Sequence, residues 1–149
     1  MDRAMLERGF RYAVALAGDP VVADDLLQEG WLRVRRAGGP ASSVPYLLRA
    51  IRSAWLDGRR GASRGLVDLV EHDGVVGPEA ERLIEADALW AGLLTLSPIQ
   101  REVLFLHLVE GWTTAEIGER TGTPTNTVQS HLRRGRESLQ AWLTAEAAK

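Results

Sequence analysis

Apolar residues recur along this chain at three- and four-residue intervals, with no useful run of two-residue alternation, and that pattern predicts helices throughout. Met5, Phe10, Val14 and Leu16, with alanines between them, suit an amphipathic helix that stops at Gly18-Asp19-Pro20. Beyond that turn, Leu26, Leu27, Trp31 and Val34 fall on one side of a second helix, and Asp24, Asp25, Gln28 and Arg35 decorate the other. Gly38-Gly39-Pro40-Ala41-Ser42-Ser43 is a loop by composition. Tyr46 to about Arg60 reads as a third helix, in which Leu47, Leu48, Ile51, Trp55 and Leu56 supply a core stripe and arginines fill the rest.

From Gly61 to Pro78 the period is lost among glycines, and the segment reads as a linker with a short helical piece at Leu66–Val70. A helix then runs from Glu79 to about Leu96, with Leu83, Ala86, Trp90 and Leu93 on its apolar side. Ser97-Pro98 is an N-cap followed by proline at the first helical position, and the helix it opens ends at Gly111. Thr113-Thr114-Ala115-Glu116 has the form of a capping box for a short helix that ends at Gly122. Thr123-Pro124 opens a last helix, to about Leu143. The expected fold is all-α: two small helical domains, 1–62 and 79–149, joined by a flexible linker, 63–78, with a helix-turn-helix in the second.

A chain of 149 residues divided this way leaves each domain marginal, because a unit of about 60 residues buries only about 60% of its unfolded surface. Such units gain from a partner. The absence of cysteine excludes disulfides and thiolate metal sites. No stretch approaches the roughly 20 apolar residues that span a bilayer, and MDRAMLERGF has no secretory pattern, so a cytoplasmic protein without membrane contact is expected. The net charge of −2 conceals a marked segregation. Arg49, Arg52, Arg59, Arg60 and Arg64 face a single acid, Asp57, between Tyr46 and Arg64. Asp68, Glu71, Asp73, Glu79, Glu81, Glu85 and Asp87 then outweigh Arg82, before Arg133, Arg134 and Arg136 restore positive charge. Two basic patches on either side of an acidic stretch suit two sites on one polyanion, although solvated helix faces account for charge alone equally well.

Thr113 to Leu139 carries the chemistry. A capped short helix, a glycine, a brief turn and a longer basic helix make a helix-turn-helix layout. With Ile117, Val128 and Leu132 as its small core, Asn126, Thr127, Gln129, Ser130, Arg133 and Arg134 project outward, and Arg136 lies further along. Asn, Gln and Arg can engage base edges bidentately in the major groove, while Ser, Thr and a more distant Arg suit the phosphate backbone. A generic helical hairpin would not need that outward set. In the first domain, Asp24, Asp25, Gln28 and Glu29 recur near helical spacing and present carboxylates and an amide on one surface. Such a face suits an arginine-rich helix, or is simply solvated. The Tyr46–Arg60 helix combines cations with aromatic residues, as single-stranded DNA grooves do. Tyr46 and Trp55 at this spacing are more naturally core, which leaves a strand contact mainly to Arg49, Arg52, Ser53 and the preceding loop, with Arg59 and Arg60 further along the helix as additional candidates.

Both halves of the chain resemble a known family. Leu96-Ser97-Pro98-Ile99-Gln100-Arg101-Glu102-Val103-Leu104, Gly111-Trp112-Thr113-Thr114-Ala115-Glu116-Ile117 and Thr125 to Arg136 closely resemble the C-terminal promoter-binding domain of bacterial extracytoplasmic-function (ECF) sigma factors. Ala17 to Pro20 and Ala23 to Arg33 resemble that family's polymerase-binding segment, and Tyr46 to Ser53, with Asp57 and Arg59-Arg60, its −10 helix. The resemblance implies a sigma factor that binds core RNA polymerase, docking Asp24, Asp25, Gln28 and Glu29 on the clamp helix of the largest subunits. It implies that Arg49, Arg52, Ser53, Arg59 and Arg60 act at the −10 element of promoter DNA, and the residues from Asn126 to Arg136 at the −35 element. An anti-sigma factor is a common further partner in the family. This chain departs from the family's pattern in a short stretch before Gly18, a short Gly38–Val44 loop without aromatic residues, and Ser53 where many relatives carry asparagine.

The alternative is a stand-alone helix-turn-helix regulator that binds duplex DNA as a dimer, but no effector domain or phosphoacceptor site is visible for it. An enzyme is not expected. His72, His107 and His131 are scattered, Asp25 and Glu29 lack a metal-binding pattern around them, and no cofactor or metal is called for.

Overall fold

The computed structural model describes residues 2–39, 43–62 and 88–149, and among the described residues every regular element is an α-helix. The expected linker at 63–78 with its helical piece at 66–70, the helix start at 79–87 and loop residues 40–42 lie outside the described residues. The chain divides into two compact units, Met1–Ala80 and Glu81–Lys149.

The first unit holds α1 (Arg3–Ala17), α2 (Pro20–Arg36) and α3 (Val44–Ala62). Short acids start the first two helices. Asp2 accepts from the Met5 N–H at 2.8 Å, and Asp19 accepts from the Val21 N–H at 2.7 Å with Pro20 at the first helical position. Gly18 between them is left-handed, and its N–H closes on the Val14 carbonyl at 2.7 Å. Tyr12, Leu16, Leu27, Val34, Leu47, Leu48 and Ile51 make the core. The crossing of α2 on α3 is close: a Cβ on Gly30 would lie 2.6 Å from Ile51 Cγ1 and 3.0 Å from the Ile51 backbone nitrogen.

Helix α3 starts before Tyr46 and runs past Arg60, with the Ser43 hydroxyl accepting from the Tyr46 N–H at 3.3 Å. Trp55 is buried as expected, but Tyr46 is not core: it is 40% exposed, because its ring covers the chain at Gly39 instead of turning inward.

The second unit holds α4 (Ala88–Leu93), α5 (Pro98–Leu108), α6 (Thr114–Thr121) and α7 (Thr125–Ala147). Helix α4 stops short of the expected Leu96. Thr95 and Leu96 bond back three residues instead of four, and the Thr95 hydroxyl donates to the Gly92 carbonyl at 2.6 Å, which tightens the turn. Helix α5 is buried from Arg101 to Leu106, with Phe105 against Trp90 at 5.7 Å between ring centroids. Arg101 donates to the Leu96 carbonyl, and burial pushes its guanidinium down to about 10. Leu139 and Leu143 on α7, with Leu89 and Leu108, line an open groove of about 1120 Å³. Helix α7 extends to Ala147, beyond the expected Leu143.

Candidate nucleic-acid interface

Helices α6 and α7 form the helix-turn-helix, and local chemistry sets the turn between them. Gly122 is left-handed (φ 69°) with its N–H on the Gly118 carbonyl, which also accepts from the Thr123 N–H at 3.0 Å. The chain can fold back this tightly because Gly118 lacks a side chain: a Cβ there would sit 2.8 Å from the Thr123 carbonyl oxygen. Ile117, Val128 and Leu132 close the small core expected of them, at 1%, 0% and 7% exposure. Further along α7, Gly135 lies against Leu104 of α5.

The other side of α7 is open. Asn126, Thr127, Gln129, Arg133, Arg134 and Arg136 are exposed, and Ser130 is half-buried. Pro124 precedes the helix without a side-chain cap, so the first N–H groups of α7 stay available at the positive end of the helix dipole. Such an end favours a phosphate. Arg120, on α6, is otherwise engaged: it stacks 4.4 Å over the Trp112 ring and pairs with Glu116 at 3.2 Å. The Thr113 backbone and side chain, with Arg120 as a smaller influence, hold the Glu116 carboxyl below its usual range.

On the first unit, Asp24, Asp25 and Gln28 are exposed on α2, and the Gln28 amide donates to Asp24 at 3.0 Å. Glu29 stands apart from them. It is half-buried and accepts from Arg33 Nε at 3.1 Å. The same guanidinium donates through Nη1 to Asp57 of α3 at 2.8 Å, and these two carboxylates, Asp57 foremost, raise its pKa. Val21, 67% exposed, and Leu32 flank Asp25 and Gln28 at helical spacing, an apolar component that core-stripe reasoning passes over.

Along α3, Arg49, Ser53 and Arg60 recur on one flank with Arg52 and Arg59 beside them, and all but the half-buried Arg52 are exposed. Arg59 lies 4.8 Å over the Trp55 ring, and Arg60 stands 3.9 Å from Asp57. The structure thus gathers the candidate residues into an acidic face on α2, a cationic flank on α3 and a mixed polar face on α7. Sequence reasoning missed Arg33, which lies on no stripe and finds its α3 partner 24 residues away. Among the described residues, no group of three or more His, Asp or Glu could hold a metal ion, and no helix is long and apolar enough to cross a membrane.

Comparison with known proteins follows the same division. Residues 3–65 match the family model Sigma-70 region 2, and residues 86–139 match Sigma-70, region 4. The chain is 30% identical over 158 aligned positions to the ECF RNA polymerase sigma factor SigE of Mycolicibacterium smegmatis, covering 99% of this chain but 62% of that relative. It is 32% identical over 139 positions to the ECF RNA polymerase sigma factor SigL of Mycobacterium tuberculosis, covering 83% of this chain and 75% of the relative. Its fold is similar to that of the sigma factor RpoE of Bartonella quintana, solved in complex with the anti-sigma factor NepR. That likeness has a TM-score of 0.70 at 19% identity, over 95% of this chain and 92% of the other.

Proposed function

Because the chain belongs to the ECF RNA polymerase sigma factor family, we propose that it binds core RNA polymerase and directs initiation at particular promoters. It acts by binding and not by catalysis, in the cytoplasm. The observation that carries this reading is the pairing, in one chain, of an acidic docking face beside a cationic helix with a separate helix-turn-helix that leaves its polar side open.

Asp24, Asp25 and Gln28, with Glu29 at their edge, offer hydrogen-bond acceptors to an arginine-rich helix on the clamp of the largest polymerase subunits. Arg49, Arg52, Ser53, Arg59 and Arg60 then track the opening −10 strand. Cations along a helix hold a single strand by its phosphates. Helix α7 enters the −35 major groove. A helix is about 10–12 Å across with its side chains, which fits a groove about 12 Å wide, and the stretch from Asn126 to Arg134 presents about 12 Å of its length to the bases. Asn126, Gln129 and the arginines face base edges and phosphates, and Thr127 and Ser130 support them. Neither DNA contact needs to be strong, because joining the two raises the effective concentration of each for the other. An anti-sigma factor belongs to the proposal as a regulatory partner, supported by the similar fold of the NepR-bound sigma factor RpoE.

Transcription with bacterial core polymerase, with and without this protein, on promoter fragments from its own genome tests the reading. Protein-dependent transcripts that share paired upstream motifs are expected. Duplex binding without polymerase, and no new transcript, would replace this reading with a stand-alone regulator.

A further inference from the structure

The ring of His131, on α7, is divided between two surroundings. Its Nδ1 is buried with no hydrogen-bond partner, yet the residue as a whole is half-buried, which leaves Nε2 as the ring nitrogen toward solvent. The helix puts this residue on a boundary. Val128 and Gly135, three residues before it and four after, are buried, and Gly135 lies against Leu104 of α5. Thr127 and Arg134, four residues before it and three after, are exposed on the polar side. The inner nitrogen therefore belongs to the packing of the domain and the outer one to the edge of the open face.

That division fixes where the proton sits. A neutral imidazole carries one N–H and one bare nitrogen. A proton on Nδ1 would make a buried donor without an acceptor, the costlier of the two ways to bury this atom unpaired. With the proton on Nε2, the buried atom is a lone pair and the N–H points outward.

We infer that His131 is a phosphate-contacting residue of the −35 interface, held by its buried Nδ1 in the tautomer that aims a neutral Nε2–H at the DNA backbone; this rests on the reading of the preceding subsection. Its place at the edge of the polar face, and not at the centre with Asn126 and Arg133, suits the phosphates that border the groove instead of the base edges. Nε2 donates and a phosphate oxygen accepts. Two properties separate this contact from those of the arginines around it. A phosphate contact ignores sequence, and a neutral donor releases no counterion. His131 thus adds affinity at every −35 sequence without adding salt dependence. A ring that only packs would support the fold and leave promoter affinity alone.

The test has two parts. In the full chain with isotope-labelled histidine, a long-range proton–nitrogen NMR spectrum at about pH 8, above the ordinary histidine range, reports which ring nitrogen bears the proton. His131, assigned by its loss in His131→Gln, should show a protonated Nε2 and a bare Nδ1; the opposite tautomer would overturn the proposal. Holoenzyme assembled from core polymerase and the full chain is then titrated with promoter fragments carrying singly substituted −35 elements, at the same pH and several salt concentrations. The promoter is one found by the transcription experiment. His131→Ala should weaken binding to every fragment by roughly tenfold with the salt slope unchanged. His131→Gln, whose amide nitrogen reaches the place of Nε2, should recover most of that loss. His131→Asn, whose amide reaches only the place of Nδ1, should not; if it does not fold, the alanine and glutamine variants decide. Undiminished affinity in His131→Ala, equal losses in the alanine and glutamine variants, or a salt slope reduced by about 1 as for a lost cation would each overturn the proposal. If Arg134→Ala and Arg136→Ala also bind every fragment like wild type, the assignment of α7 to DNA falls instead.

Discussion

Thr113 and Glu116 cap the first turn of α6 from opposite directions: the Thr113 hydroxyl accepts from the Glu116 N–H at 3.1 Å, and Glu116 Oε1 accepts from the Thr113 N–H at 3.1 Å. Two of the donors that every helix start leaves orphaned are met by one reciprocal pair. Thr113→Ala should cost about 0.5–2 kcal/mol, read as a lower urea midpoint of the second unit.

Acid should act on the same turn. The Glu116 pKa is lowered in the folded protein, so its contribution is present above the ordinary carboxylate range and is lost as pH falls through the folded value. Glu116→Gln keeps an acceptor for the Thr113 N–H but gives up the charge beside Arg120. The wild type should therefore be the more stable of the two near neutrality, and the gap should close below about pH 4. Urea unfolding of both proteins across that range checks the sign.

Two glycines in the first unit should respond oppositely to alanine. At Gly30 the added methyl meets Ile51, including its backbone, and the α2–α3 crossing must open, at a cost of about 1–3 kcal/mol. At Gly58, inside α3, a Cβ meets nothing within 4 Å, and alanine should stabilise by about 0.4–1 kcal/mol. Chemical denaturation of the two variants decides both values.

Arg134→Ala and Arg136→Ala should separate base reading from backbone attraction. If Arg134 pairs bidentately with a base, its loss should cost about 1–3 kcal/mol and relax preference at one position of the −35 element. Loss of Arg136 should weaken all sequences alike and reduce the salt slope of binding by about 1. Affinities for a panel of singly substituted −35 duplexes, at several salt concentrations, give both readouts.

Asp25→Lys reverses charge at the centre of the exposed α2 face without touching the core. It should sharply reduce core-polymerase binding while duplex binding by the second unit stays at the wild-type level. Equal polymerase affinity in both proteins would remove α2 from the docking role.

The helices and the helix-turn-helix were legible in the sequence because their determinants are local: short-range periodicity, a proline at the first helical position, a reciprocal cap, a glycine at the end. Ile117, Val128 and Leu132 could be placed inside because a helix with so many polar residues has one way to bury its few apolar ones. The outward residues of α7 followed by subtraction. What escaped was set across helices. Tyr46 sits on the apolar period of α3, yet it covers Gly39 instead, and nothing local distinguishes it from Leu47. Glu29 was grouped with its exposed acidic neighbours, but Arg33 claims it because Asp57, 24 residues later, holds that arginine in place. Gly30 carries no side chain to mark a face, yet it is the point where α3 passes close to α2.

Helix α7 keeps Val128, Leu132, Gly135 and Leu139 for its own protein and leaves Asn126, Thr127, Gln129, Arg133 and Arg134 exposed. On the proposed reading, the residues that would meet a promoter and the residues that hold the domain together are separate sets, interleaved on one helix. On that reading, a copy of this protein could change its outward set one residue at a time at little loss of stability, because substitutions at exposed positions usually shift it by no more than about 0.5 kcal/mol. Specificity carried this way would diversify while the frame that presents it stays the same.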